Sequence, residues 1–267
     1  HIGISELRNA FAAWYKRWYG VTLDPKTEIQ PLIGSKEGIL HISLAFLNPG
    51  DGVLVPNPGY PTYTSVSKMV GATIHTYDLD ENNNWQPDFE ALEKKDLSNV
   101  KLMWINYPNM PTGANGSLEL FEKIVAYGKK HNIVIAHDNP YSLILNEKPL
   151  SIMQIEGAKD ICIELNSMSK SHNMPGWRIG LVVSNQQFIN WILKVLSNIE
   201  SGILKPIQLA TIAALGNTDE WHRKYNIELY AARRRYAEAI MDELGCTYDK
   251  NQVGMFLWGK IPTHYKG

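Results

Sequence analysis

Two cysteines, Cys162 and Cys246, are all that this chain of 267 residues contains, too few for a disulfide framework. Cys162 falls inside a predicted buried strand, so a reducing, cytoplasmic setting is expected and neither thiol reads as catalytic. An excess of one charge is lacking too. With 26 basic and 27 acidic residues the net charge is −1, which leaves no electrostatic footprint for a nucleic acid or an anionic membrane. The one basic run, Arg233-Arg234-Arg235, lies in a helical pattern whose apolar positions Leu229, Tyr236, Ile240 and Leu244 are expected to face inward. The arginines would then sit on a solvated face or a subunit contact. No apolar run approaches the roughly 18 residues that span a membrane. The chain starts at His1, already in a helical pattern, so the lack of a charged-then-apolar leader decides nothing about targeting. No metal site is expected: His137-Asp138 lacks further ligands at metal spacing, and His131, His172 and His222 read as surface or capping residues. Internal repeats and low-complexity tracts are absent as well.

What the chain does have is apolar content, 44%, enough at this length for one large domain or one domain plus a fragment of another. Ile4 to Tyr19 carries apolar and aromatic residues at helical spacing and stops at Gly20. Short apolar runs then alternate with helical segments. Ile29 to Ile33, Val53 to Pro56, Thr73 to Tyr77, Lys101 to Ile105, Ile133 to His137, Ile161 to Leu165 and Ile179 to Val183 read as strands. Such alternation predicts an α/β fold with a mostly parallel seven-stranded sheet sandwiched by helices. Beyond Asn185 the pattern is helical, near Gln187 to Ile199, Pro206 to Leu215 and Asp219 to Leu244, until Gly245 breaks it. Val253 to Trp258 reads as one more strand. The expected division is a large cofactor-binding domain over 1–252 and the start of a small α/β domain over 253–267.

Five segments that follow strands or open helices carry the chemistry. In Ser167-Met168-Ser169-Lys170, small hydroxyl residues flank a lysine that an apolar strand precedes and Pro175-Gly176 and Arg178 follow. An amine attacks a carbonyl only when free of its proton, a state that burial or a neighbouring cation favours, and Arg178 would supply the cation. Open α/β sheets place ligands at the carboxyl ends of strands, where Lys170 is expected. Gly34-Ser35-Lys36-Glu37-Gly38 opens a helix, so its free N–H groups and dipole suit a phosphate, although a capped helix start has the same residues. Tyr60, fixed between prolines in Asn57-Pro58-Gly59-Tyr60-Pro61, is either a packed turn residue or a ring that stacks on a planar cofactor. Asn106-Tyr107-Pro108-Asn109-Met110-Pro111-Thr112-Gly113 is a rigid turn with two amide side chains. His137-Asp138-Asn139-Pro140-Tyr141 ends a strand with a carboxylate able to pair with a pyridine nitrogen, and Tyr141 lies three residues on. Together these are the groups that bound pyridoxal 5'-phosphate needs.

The order and spacing of these segments resemble the class I/II aminotransferases, pyridoxal phosphate enzymes of fold type I. The resemblance runs from Glu6-Leu7-Arg8 to Gly254-Met255-Phe256 and is most specific from Ser167 to Gly180. It implies that Lys170 forms the internal aldimine and then shuttles the proton between the substrate's α-carbon and the cofactor. It further implies Asp138 on the pyridine nitrogen, Tyr141 on the ring oxygen and Tyr60 stacked on the ring, with Ser35, Lys36, Ser167 and Arg178 on the phosphate. The Gly-Ser-Lys-Glu-Gly and Asn-Tyr-Pro-Asn-x-Pro-Thr-Gly forms are similar to those of the diaminopimelate-type and broad amino-acid aminotransferases of bacteria. One departure stands out: Met110 occupies the place of the family's asparagine, and Asn109, or else Asn106, is expected to substitute. The family's cross-dimer tyrosine would fall before His1, and its carboxylate-binding arginine beyond Gly267.

The implied activity is transfer of an amino group between an amino acid and a 2-oxo acid, with these small molecules as partners and a homodimer as the assembly. Two alternatives use the same scaffold. One is a lyase that releases ammonia without a keto acid, and the other is a sensor domain of a transcription regulator.

Overall fold

The computed structural model describes residues 1–265. Helix α1 (Ser5–Tyr19) buries Leu7, Phe11, Trp14, Tyr15 and Tyr19 along one face and ends at Gly20, whose positive φ of 68° lets its N–H cap the Lys16 carbonyl. Strand and helix then alternate through β1 (Ile29–Leu32), α2 (Ser35–Phe46), β2 (Gly52–Asn57), α3 (Pro61–Met69), β3 (Thr73–Asp78), α4 (Phe89–Glu93), β4 (Val100–Ile105), α5 (Leu118–His131) and β5 (Val134–Asp138). After β5 come β6 (Cys162–Ser167), the single turn α6 (Met168–Ser171), β7 (Gly180–Val183), α7 (Gln186–Ile199), α8 (Lys205–Gly216), α9 (Thr218–Trp221) and α10 (Tyr230–Glu243).

The strands form one seven-stranded sheet in the order β1-β7-β6-β5-β4-β2-β3. Only β7 runs against its neighbours, β1 and β6; the pairs β2–β3, β2–β4, β4–β5 and β5–β6 are parallel. Successive side chains of a strand point to opposite faces, and both faces are apolar here. Leu54, Met103, Ile135, Cys162 and Leu181 join a core with α1 and α5. Val53, Val55, Leu102, Trp104, Ala136, Ile163 and Val182 join a second core with α2, α3 and α7. Apart from the edge strand β3, which buries only Tyr77, the sheet is covered on both sides, and its β-branched runs read as near-continuous apolar segments because neither face meets water.

Three expectations need correction. Residues 253–258 form no strand: the Val253 and Gly254 N–H groups bond to the Gly113 and Ile144 carbonyls, so the segment crosses the loops rather than joining a sheet edge. Of the expected second domain, positions 266 and 267 lie outside the described residues. The helical run from Asp219 to Leu244 passes through a π-helical stretch, His222–Leu229, between α9 and α10. Finally, α10 buries none of its residues. Tyr236 is 78% and Ile240 62% exposed, with Leu229 and Leu244 exposed as well, while Arg234 is the arginine turned inward. Periodicity shows which residues share a face, not what covers it.

Candidate active site

The carboxyl ends of β4, β5 and β6, the starts of α2 and α3, and the turn before β7 surround a cleft of about 320 Å³. Its walls include Ser35, Lys36, Tyr60, Asp138, Tyr141, Ser167, Lys170 and Arg178, so eight predicted side chains from four of the five segments meet in one place. Asn106 and Met110 line it from the fifth.

The lysine is held by its backbone. Ser167 caps the α6 turn, its Oγ accepting from the Ser169 N–H at 3.1 Å, and the Met168 N–H bonds to the Ile179 carbonyl at 3.2 Å. The Ser171 carbonyl accepts from both Trp221 Nε1 (2.9 Å) and Asn226 Nδ2 (2.8 Å). Trp221 closes α9 and Asn226 sits in the π-helical stretch, so the end of that helix and the irregular turn after it each present one donor to the residue after the lysine. Lys170 thus stands on a helical turn rather than in an open loop.

One end of the cleft suits an anion. Gly34 takes φ 85° before α2, which has no side-chain cap, so the first N–H groups of the helix are left for a ligand. A Cβ on Gly34 would collide with the Arg178 guanidinium, and one on Gly180 would lie 2.9 Å from the Ser35 nitrogen. Glycine at both positions lets the helix start, the β7 start and the arginine close on one another. Arg178 itself has φ 51°, and its Nη1 donates to the Pro175 carbonyl at 2.9 Å. Lys36 Nζ sits 5.7 Å from the Tyr60 ring centroid.

The other end holds Asp138, buried to 4% exposure. Tyr63 donates to its Oδ2 at 2.9 Å, while Oδ1 has no partner. Burial pushes the carboxyl up to about 6, against a pull downward from the Tyr63 bond and the His137 charge. Burial and the Asp138 charge raise the Tyr141 phenol, so it keeps its proton and acts as a donor. Tyr63 escaped sequence reasoning. It stacks on Trp104 at 5.1 Å beneath Tyr60, and its spacing three residues after Tyr60 at a helix start was the available signal. Ser169, Pro140 and Pro175 also line the cleft without having been singled out.

Asn109 does not reach the cleft. Its Oδ1 accepts from Thr112 Oγ1 at 2.8 Å and its Nδ2 bonds to the Asn106 carbonyl at 3.3 Å, so the turn consumes the amide internally. The Asn106 amide is used too, donating to the Asp138 carbonyl at 2.7 Å and accepting from the Met110 N–H at 2.7 Å. Met110 therefore fills the expected asparagine's place with a thioether, and Asn106 is the amide that lines the cleft. His172 is a second correction. It is buried between Ser171 Oγ and Thr218 Oγ1, with its pKa lowered by burial to about 4. Among the described residues no group of three His, Cys, Asp or Glu is placed to hold a metal, and no helix is long and apolar enough to cross a membrane.

An unpaired buried carboxylate oxygen, a lysine, facing tyrosines and an anion cup fit a flat, cationic-nitrogen ring that carries an aldehyde and a phosphate. Comparison with known proteins agrees. The sequence profile of the family described as Aminotransferase class I and II matches residues 1–265. The LL-diaminopimelate aminotransferase of Dehalococcoides mccartyi is 44% identical over 266 residues, 98% of this chain and 68% of that protein. That of Aquifex aeolicus is 43% identical over 267 residues, 99% of this chain and 69% of that protein. Among solved structures, apo-BacF of Bacillus subtilis superposes with a TM-score of 0.92 at 37% identity, covering 99% of this chain and 71% of its own. An aminotransferase of Staphylococcus aureus gives 0.92 at 30% identity, covering 99% and 70%. With the fold, the cleft and these relatives in agreement, the chain belongs to the class I and II aminotransferases, pyridoxal phosphate-dependent transaminases of fold type I.

Proposed function

We propose that this chain binds pyridoxal 5'-phosphate at Lys170 and transfers the amino group of an amino acid of the LL-diaminopimelate type to a 2-oxo acid. The observation that carries the proposal is the unpaired Asp138 Oδ1, buried at one end of the cleft whose other end is the anion cup at Gly34, Ser35 and Arg178. The cofactor, when bound, supplies the electron sink that lets the substrate's α-carbon give up its proton. Asp138 Oδ1 holds negative charge for the ring nitrogen, and the Tyr63 hydroxyl fixes the carboxylate's orientation through Oδ2. Tyr141 donates its phenolic proton to the ring oxygen, and Tyr60 covers the ring face. Arg178, the Ser35 and Lys36 amides and the Ser167 hydroxyl bind the phosphate. Lys170 Nζ would hold the cofactor's aldehyde carbon covalently, water leaving as that bond forms, and once the substrate's amine has displaced it the free lysine amine would take and return the α-proton. Identities of 43–44% to curated LL-diaminopimelate aminotransferases support the substrate class and favour transamination over the lyase and sensor readings.

The same proposal includes a second structural unit beginning at 253 and a cytoplasmic homodimer. The exposed apolar stripe of Tyr236 and Ile240 on α10, continued by Leu244 just past its end, supports the former by offering a face for a second unit to cover. Loading the protein with pyridoxal phosphate, reducing it with borohydride and mapping peptides tests the site: the adduct is expected on Lys170 and absent from Lys170→Ala. Adding LL-diaminopimelate to unreduced protein should convert the absorbance to that of pyridoxamine phosphate without releasing ammonia. An adduct elsewhere, or ammonia release with no such conversion for any amino acid, overturns the proposal.

A further inference from the structure

His137 and Glu164 are both fully buried, at 0% exposure, and face each other as register partners on the parallel strands β5 and β6. Nothing in the proposed chemistry uses either one. Their side chains meet at 2.8 Å, Nδ1 to Oε2. Glu164 already receives three other donors: the Tyr15 and Ser151 hydroxyls on Oε1, each at 2.8 Å, and the Ile152 N–H on Oε2 at 3.0 Å. With donors on both of its oxygens, the Glu164 carboxyl presents Oε2 to the imidazole as an acceptor. On the far side of the ring, Nε2 lies 2.9 Å from the Tyr107 carbonyl oxygen, which only accepts. Each ring nitrogen thus faces an acceptor, and each bond forms only if that nitrogen carries hydrogen. A neutral imidazole can satisfy one of them.

We infer that His137 is held with protons on both ring nitrogens, clamped between Glu164 and the Tyr107 carbonyl, and that this cation is a positioning residue for the adjoining Asp138. The inference rests on the reading that Asp138 faces the cofactor's ring nitrogen. The imidazolium keeps the neighbouring buried carboxylate charged, and its Nε2–H ties the turn containing Met110 to β5. Around the pair, Tyr15 and Tyr19 on α1 and Cys162 on β6 are all pushed up by burial and stay uncharged, and the Phe121 ring lies 5.1 Å away, centroid to centroid. Asp138 is therefore the remaining charged group beside the pair. A buried ion pair carries a desolvation cost that an apolar pair of equal volume would not. Charging Asp138 gives that cost a function.

Nitrogen-15 spectra of histidine-labelled apo-protein at neutral pH test the protonation. One buried ring should show two directly bonded protons, and its signals should vanish in His137→Gln; a single bonded proton overturns the inference. Glu164→Gln, which keeps the shape and removes the partner charge, should leave one proton on the ring if His137→Gln fails to fold. Cofactor dissociation, followed by fluorescence, tests the positioning role. His137→Gln should weaken binding about tenfold, as expected for loss of a neighbouring charge, yet add nothing in an Asp138→Asn background. An equal loss in both backgrounds overturns the positioning role. An Asp138→Asn protein that binds normally overturns the reading of Asp138 itself, while the protonation result stands apart from it.

Discussion

Asp138 joins stability and function in opposite directions. Burial raises its pKa to about 6 in the folded apo-protein, whereas an unfolded aspartate titrates near about 3.9. The folded state binds the proton more tightly, so the stabilising contribution is complete below about pH 4 and is lost as the pH rises through about 6. Above that, the ionised carboxylate costs the apo-protein about 3 kcal/mol. Asp138→Asn is expected to raise the apo-protein's Tm at neutral pH, with the gain vanishing below about pH 4, and to weaken cofactor binding at least tenfold; thermal melts against pH and a binding titration measure both. Met110 makes a second residue-scale prediction. It lines the cleft beside Asn106, which spends one amide N–H on the Asp138 carbonyl, while Asn109 is turned into its own loop, so Met110→Asn should tighten cofactor binding a few-fold by adding one donor. The cleft residues Lys170, Asp138 and Arg178 were legible because they end or follow a strand or follow a Pro-Gly turn. Tyr63 and Glu164 were not, because each acts through a partner far away in sequence, and no local pattern marks such a pairing.

At the scale of elements, the start of α2 depends on Gly34. A methyl group there is strained at φ 85° and collides with the Arg178 guanidinium. Gly34→Ala should displace that arginine and raise the dissociation constant for the phosphate-bearing cofactor about tenfold or more, while leaving the far-ultraviolet circular dichroism unchanged. Six of the seven strands stood out in the sequence because both faces of each are buried, which makes their apolar runs dense and short; the edge strand β3 buries only Tyr77. Val253 to Trp258 has the same composition and is no strand. A strand needs a neighbour's unpaired edge, and the groups that meet this segment are two loop carbonyls, an arginine and the Gln252 amide. The pattern from 219 to 244 likewise gave a helix without its π-helical stretch, since the wide turn answers to the Ser171 carbonyl some fifty residues earlier.

For the whole molecule, Arg234 ties the α10 helix to the segment 252–258, which packs on Tyr141 at the cleft wall. Its guanidinium donates to the carbonyls of Gln252 (3.1 Å), Gly254 (3.4 Å) and Phe256 (3.0 Å), and the Phe256 ring stands edge-on to Tyr141 at 5.3 Å. Arg234→Met should release residues 252–258 to limited proteolysis at a protease level that leaves the wild-type segment intact, with the sheet domain still folded by circular dichroism. An unchanged digestion pattern would show that the three bonds do not hold the segment. The sequence by itself determined the alternating α/β order, the strands and the chemistry-bearing turns, because periodicity, glycine and proline act within a few residues. Only the tertiary structure decided which side chains meet: Asn109 turned into its own loop, Tyr63 beneath Asp138, and His137 against Glu164. Those outcomes depend on strand register and burial, which bring together donors and acceptors that the chain keeps far apart.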